Sequence, residues 1–124
     1  MPPQCEALVV HCIDYRLQEF LNKWLDDKLP TGGFDRVAIA GGVHDVFYVL
    51  RQVEIAVRLH QIEKVILVNH EDCGAYGIEG NYEHHKTDLE ESECKIEALF
   101  PDLNVETYYL HLDGEFEEMS KTNR

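Results

Sequence analysis

Residues 64–74 read KVILVNHEDCG: an apolar run closed by an asparagine, then a histidine, two acids, a cysteine and a glycine. Lys64–Asn69 has the length and the Val/Ile/Leu content of a strand buried on both faces, as in a parallel sheet. His70 follows the run directly and Cys73 stands three residues later, so two metal-binding side chains sit where the strand ends. The start of the chain repeats this arrangement. Ala7–Cys12 (ALVVHC) is another short Val-rich run, and its last residue opens the turn Cys12-Ile13-Asp14-Tyr15-Arg16.

Between these two runs the period changes. Leu17, Phe20, Leu21, Trp24 and Leu25 mark one face of a helix, which Pro30 and Gly32-Gly33 stop. Arg36–Ala40 (RVAIA) reads as a second strand, followed by a Gly41-Gly42 turn. Val46, Val49, Leu50, Val53 and Val57 have helical spacing through to about His60. Downstream of Cys73 no period is evident until Thr87 and Glu90, a capping-box pattern ahead of Leu89, Ile96, Leu99 and Phe100. Pro101 closes that helix, Val105–Leu112 reads as the last strand, and the tail after Asp113-Gly114 is weakly determined. Strand and helix alternate throughout. The pattern predicts an α/β fold with a mostly parallel central sheet of about four strands and helices on both faces. At 124 residues without a linker or repeat, residues 1–124 read as one domain.

Composition narrows the classes of function. The formal charge is −13, and it is concentrated in the second half: residues 1–70 carry 9 acids and 7 bases, residues 71–124 carry 15 and 4. Such a surface repels phosphate backbones and lacks a basic stripe, which argues against nucleic-acid binding. No apolar run approaches the ~20 residues of a membrane span. The first residues show neither the basic region nor the cleavage site of a signal peptide, so a cytoplasmic location is expected. Four cysteines in such a chain point to metal or catalysis before disulfides.

If the first and third strands are neighbours, Cys12, His70 and Cys73 open at one edge of the sheet. Ligands gather there in open α/β sheets. Thiolate and imidazole are donors that zinc prefers, and three protein ligands leave a fourth position for water, the pattern of catalytic rather than structural zinc. One Zn²⁺ per chain is expected.

On these residues the chain resembles the β-class carbonic anhydrases, most of all their short archaeal-type branch. Cys-Ile-Asp-Tyr-Arg at 12–16 resembles the family's C-x-D-S-R, and 68–74, VNHEDCG, resembles its H-x-D-C-G segment. Arg36–Val43 (RVAIAGGV) is similar to its R-N-A-G strand end. The resemblance implies reversible hydration of CO₂ to bicarbonate by a metal-bound hydroxide, with zinc on Cys12, His70 and Cys73. It also implies a homodimer or higher homo-oligomer and a polar dyad of Asp14 and Arg16 beside the metal. Chemistry agrees with those roles: a carboxylate two residues after Cys12 can accept the hydrogen of a zinc-bound water and aim its lone pair at CO₂. Arg16 beside it would hold Asp14 ionised and off the metal; without that restraint Asp14 would become a fourth ligand. Departures are visible as well. Tyr15 stands where the family usually has Ser, Ala38-Ile39 replace its Arg-Asn, and its long N-terminal helical arm is lacking.

Two other functions remain open at this point: a zinc hydrolase of other small linear molecules, such as carbonyl sulfide or carbon disulfide, and a noncatalytic zinc protein. Tyr15, Ile39, Gly41, Gly42, Gly74, Ala75 and Tyr76 are candidates to line a small-molecule pocket. His44, after the Gly41-Gly42 turn, reads as a helix-start residue with a proton relay as the sharper alternative. His84-His85 read as exposed loop residues, His11 as core-edge and His60 as surface. Cys5 and Cys94 lack partners at ligand spacing along the chain.

Overall fold

A parallel sheet whose strands are apolar on both sides can only be stable with a layer of helices on each face. The computed structural model, which describes residues 3–30 and 33–120, has that architecture. In chain order the elements are β1 (Ala7–His11), α1 (Gln18–Lys28), β2 (Phe34–Ala38), α2 (Val46–His60), β3 (Lys64–His70), α3 (Tyr82–Leu99), β4 (Asn104–Leu110) and β5 (Phe116–Glu118). The strand order is β2-β1-β3-β4-β5. The pairs β1–β2, β1–β3 and β3–β4 are parallel, and β5 runs antiparallel to β4.

The alternation of side chains explains why β1 and β3 read as unbroken apolar runs. Leu8 and Val10 of β1, with Val65 and Leu67 of β3, face a cluster completed by Val49 and Val53 of α2 and by Leu89 and Ile96 of α3. Ala7, Val9, Ile66 and Val68 face the other side, against Leu17 and against Leu21 and Leu25 of α1. Fully burying one such side chain contributes roughly 1.5–3 kcal/mol. A one-residue slip of register would therefore exchange both faces at once.

The structure differs from the sequence reading in several elements; β2, expected over Arg36–Ala40, spans Phe34–Ala38. A fifth strand, β5, completes the sheet; only three residues long, it is held by Trp24, whose ring stacks on Phe116 with centroids 4.2 Å apart and meets Tyr108 edge-on. The third helix begins at Tyr82 rather than Thr87: Asn81 caps it by accepting the His84 N–H at 2.9 Å, and Thr87 lies inside the helix. His85 is consequently not an exposed loop residue but a fully buried helical one, on a face shared with Leu89, Ser92, Glu93 and Ile96. That face is half polar, which hid its period. No helix among the described residues is long and apolar enough to cross a membrane.

One buried charge ties the layers together. Glu106 of β4 accepts from the Tyr108 hydroxyl at 2.6 Å and pairs with Lys28 at 2.8 Å and Lys64 at 3.2 Å. Burial raises its pKa, but the Lys28 and Tyr108 hydrogen bonds and the lysine charges outweigh burial and leave it below the usual glutamate range. A depressed carboxylate stabilises the fold above its unfolded pKa and loses that contribution as pH falls through the folded one. Glu106→Gln should cost about 1–3 kcal/mol at neutral pH and flatten the decline of stability toward acid. Urea unfolding across a pH series checks this; wild type and variant losing stability in parallel would contradict it.

Candidate metal centre

The strand order reverses at β1: the chain moves outward to β2, then returns to lay β3 on the other side of β1. The crevice beyond the carboxyl ends of β1 and β3 is the switch point, where neighbouring loops diverge and leave room for a ligand. Cys12 follows β1, His70 is the last residue of β3, and Cys73 lies in the turn after it. Their donor atoms all lie within 4.8 Å of one another, and all three residues are buried.

Three features of this cluster fit a zinc ion. His70 Nδ1 donates to the Glu71 carbonyl at 2.7 Å, which leaves Nε2 with its lone pair toward the cluster. That Nε2 is buried and has no hydrogen-bond partner among the described residues. The Cys12 and Cys73 sulfurs are 3.9 Å apart, and two sulfurs on one tetrahedral zinc stand roughly 3.8 Å apart at Zn–S of about 2.3 Å. The two thiols also share one contact, close enough for a single proton between them. The hydrogen bond from Cys73 holds Cys12 low, while that same contact, burial and the Cys12 charge push Cys73 up. Cys73 therefore keeps its proton beside the Cys12 thiolate, and a divalent cation between the two sulfurs would let both ionise.

The turns carrying the ligands are pinned by an arginine. Asp14 accepts from the Arg16 backbone N–H at 2.9 Å and from Arg16 Nη2 at 2.7 Å, with Nε 3.1 Å from Oδ1. Arg16 reaches across to the second turn as well, donating to the Asp72 carboxylate at 3.1 Å and to its carbonyl at 3.0 Å. Asp72 has φ +60, a left-handed conformation that Asp tolerates better than most residues. The Arg16 hydrogen bonds hold the Asp14 carboxyl down to about 2. Asp14 Oδ2 stands 4.0 Å from His70 Nε2.

Behind the cluster, backbone and buried polar groups set the position of β3's end. Gly41, at φ +88, points its N–H at the Cys12 sulfur at 3.4 Å. Gly42 packs so closely on Asn69 that a Cβ there would collide with the Asn69 amide oxygen and press on the Val68 carbonyl at 3.1 Å. Asn69 accepts from the Val43 N–H at 3.0 Å and donates to the Tyr76 hydroxyl and to His85 Nδ1, each at 2.9 Å. Tyr76 in turn donates to Asp88 at 2.7 Å. Asn69, Asp72 and His85 were not among the expected site residues, and Tyr76, expected as a pocket-lining residue, acts from behind through its hydroxyl. Their positions depend on loop geometry and on the α3 face, for which the sequence carries no periodic signal.

A cleft of about 660 Å³ opens over the cluster, lined by Cys12, Asp14, Tyr15, Arg16, Gly74, Ala75 and neighbouring residues. Tyr15 is 86% exposed, so its phenol stands at the rim rather than over the donors. Ile39 packs against the hydrophobic core, while Gly41 and Gly42 act from behind through backbone contacts. His44 lies outside the cleft lining, its ring edge-on to Tyr76 at 4.5 Å. His11 is buried, donating from Nδ1 to the Cys12 carbonyl at 2.8 Å and accepting the Arg36 Nε–H at 2.7 Å. Cys94 is exposed on α3, whereas Cys5 lies beside Asp35 and His60 at the other end of the sheet. His60 is thus half-buried and hydrogen-bonded to Asp35 rather than a plain surface residue.

Comparison with known proteins agrees with this architecture. An uncharacterized protein of Rickettsia conorii is 26% identical over 135 residues, covering 94% of this chain and 73% of that protein. A carbonic anhydrase from Glaciozyma antarctica superposes with a TM-score of 0.69 at 19% identity, covering 97% of this chain and 85% of that one. A tetrameric β-carbonic anhydrase from Sordaria macrospora gives 0.56 at 14% identity, with 95% and 82% covered. At such identities the solved structures establish a shared fold. Residues 3–120 match the family described as "Putative carbonic anhydrase", and the chain belongs to that family.

Proposed function

We propose that Cys12, His70 and Cys73 hold one zinc ion and that the chain, working as one domain, hydrates carbon dioxide reversibly to bicarbonate. The observation that carries this reading is the buried His70 Nε2, without a hydrogen-bond partner among the described residues, facing two thiols, with an arginine-held carboxylate 4.0 Å away. Zinc at such a donor set supplies a Lewis-acidic position at which a water becomes a nucleophile. The remaining chemistry belongs to the chain. Asp14, kept ionised by Arg16, offers a hydrogen-bond acceptor at the floor of the cleft and orients the attacking water through that hydrogen bond. Arg16 also keeps Asp14 from swinging onto the metal, because Asp14 would have to break three charge-assisted contacts to leave. Ile13, Ala40 and Ala75 give the cleft apolar wall suited to a small uncharged substrate.

Arg16→Ala should free Asp14 to close the fourth position, and Asp14→Ala should remove the orienting acceptor. Both variants should keep zinc, yet lose roughly 10²-fold in kcat/KM, the scale of a misplaced nucleophile. Stopped-flow CO₂ hydration of zinc-loaded protein at alkaline pH, with metal analysis beside it, checks this. Variants as active as wild type would overturn the roles of Asp14 and Arg16. No hydration by zinc-loaded wild type would overturn the CO₂ reading in favour of another small linear substrate such as carbonyl sulfide.

The proposed working form is a homodimer or larger assembly. Phe47 is 78% exposed and Leu59 48% exposed on α2, apolar side chains that a second copy of the chain would cover. The tetrameric state of the Sordaria macrospora protein is consistent with that reading. Sedimentation velocity should find a species of at least twice the chain mass at micromolar concentration; a stable monomer would refute it.

A further inference from the structure

We propose that Cys5, Asp35 and His60 form a second, weaker transition-metal site at the amino end of the sheet, the end opposite Cys12. These residues are far apart in sequence and come from three segments. Cys5 precedes β1, Asp35 is the second residue of β2, and His60 is the last residue of α2. The backbone brings them together. β1 and β2 pair in parallel with Leu8 opposite Asp35, and the Glu6 N–H donates to the Gly33 carbonyl at 3.0 Å. The Cys5 N–H donates to the His60 carbonyl at 3.1 Å, fixing the end of α2 against the entry to β1. One donor atom from each side chain then falls within 4.8 Å of the other two.

The set is chemically selective. Thiolate, imidazole and carboxylate suit zinc or cobalt, whereas calcium and magnesium take oxygen donors almost alone. One thiolate and one carboxylate neutralise a divalent cation. His60 Nδ1–H donates to Asp35 Oδ2 at 2.7 Å, so a metal ion would take the place of the proton between two atoms that already face each other. A metal would widen this contact only modestly, since neighbouring donors on a tetrahedral ion stand roughly 3.3–3.6 Å apart at ordinary bond lengths. The Asp35 and His60 side chains keep 30% and 34% of their surface exposed, which gives the ion a path of entry and leaves remaining positions to water. That exposure, with a single thiolate, makes the site weaker than the buried pair of thiols at Cys12 and Cys73.

Cobalt(II) is a direct probe, because a thiolate bound to it gives a near-ultraviolet charge-transfer band that carboxylates and imidazoles do not. In the full chain carrying Cys12→Ser and Cys73→Ser, cobalt titration should still produce that band, saturating at about one equivalent. Adding His60→Ala or Cys5→Ser should abolish it or weaken binding at least about tenfold, while Cys94→Ser should leave it unchanged. A folded double variant with no band, or a band indifferent to His60→Ala, would overturn the proposal. Should the double variant fail to fold, the single Cys5→Ser change in the otherwise native chain decides. Cobalt stoichiometry should fall by about one equivalent from the wild-type value if the second site exists. An unchanged stoichiometry would overturn the proposal, whatever metal Cys12, His70 and Cys73 hold.

Discussion

The parallel pairing of β1 with β3 is the constraint on which the rest depends. It aligns Ala7 with Lys64 and His11 with Val68, so the carboxyl ends of two strands from distant parts of the chain open side by side. Both strands are sealed by helices on each face, and the fully buried Leu8, Ile66 and Leu67 leave no freedom to slip. Cys12, His70 and Cys73 therefore meet without any of them being on a flexible approach. The order of strands, reversing at β1, keeps the loops above this pair apart and the cleft open.

Electrostatics then decides what that edge can hold. Two sulfurs 3.9 Å apart and a buried imidazole nitrogen without a hydrogen-bond partner among the described residues form a strongly electron-rich pocket at the base of the cleft. Arg16 supplies the positive charge nearest to it, yet spends its donors on Asp14 and Asp72. Joining the turn after β1 to the turn after β3, the guanidinium acts as a clamp across the mouth of the site. A lysine would carry the charge without the planar fork that reaches both carboxylates. Its position at the surface weakens each pair in solution, so the geometric restraint matters more than the net attraction.

Much of this was readable from residues alone, and for a physical reason. Strands buried on both faces leave short apolar runs with sharp ends, and in KVILVNH and ALVVHC the chemistry-bearing residue stands at the end itself. What was not readable lacks such a signal. Asp72 contributes through a left-handed backbone angle and a cross-turn contact with Arg16. His85 is buried by a helix face that also carries Ser92 and Glu93, which looks solvent-facing in any hydrophobic pattern. The start of α3 depends on the Asn81 cap, and the Thr87–Glu90 spacing that mimics a capping box falls inside the helix. β5 is too short for a period and owes its place to the Trp24–Phe116 stack. Cys5, Asp35 and His60 meet only because the starts of β1 and β2 lie beside the end of α2, a proximity that spacing along the chain does not encode.

The central claim is that two thiolates and one imidazole of this chain hold the metal and leave room beside it. Zinc K-edge X-ray absorption on the chain loaded with a substoichiometric amount of zinc tests it most directly. The account predicts about two sulfurs at roughly 2.3 Å and about two nitrogen or oxygen atoms at roughly 2.0–2.1 Å. A shell of nitrogen and oxygen alone would contradict it.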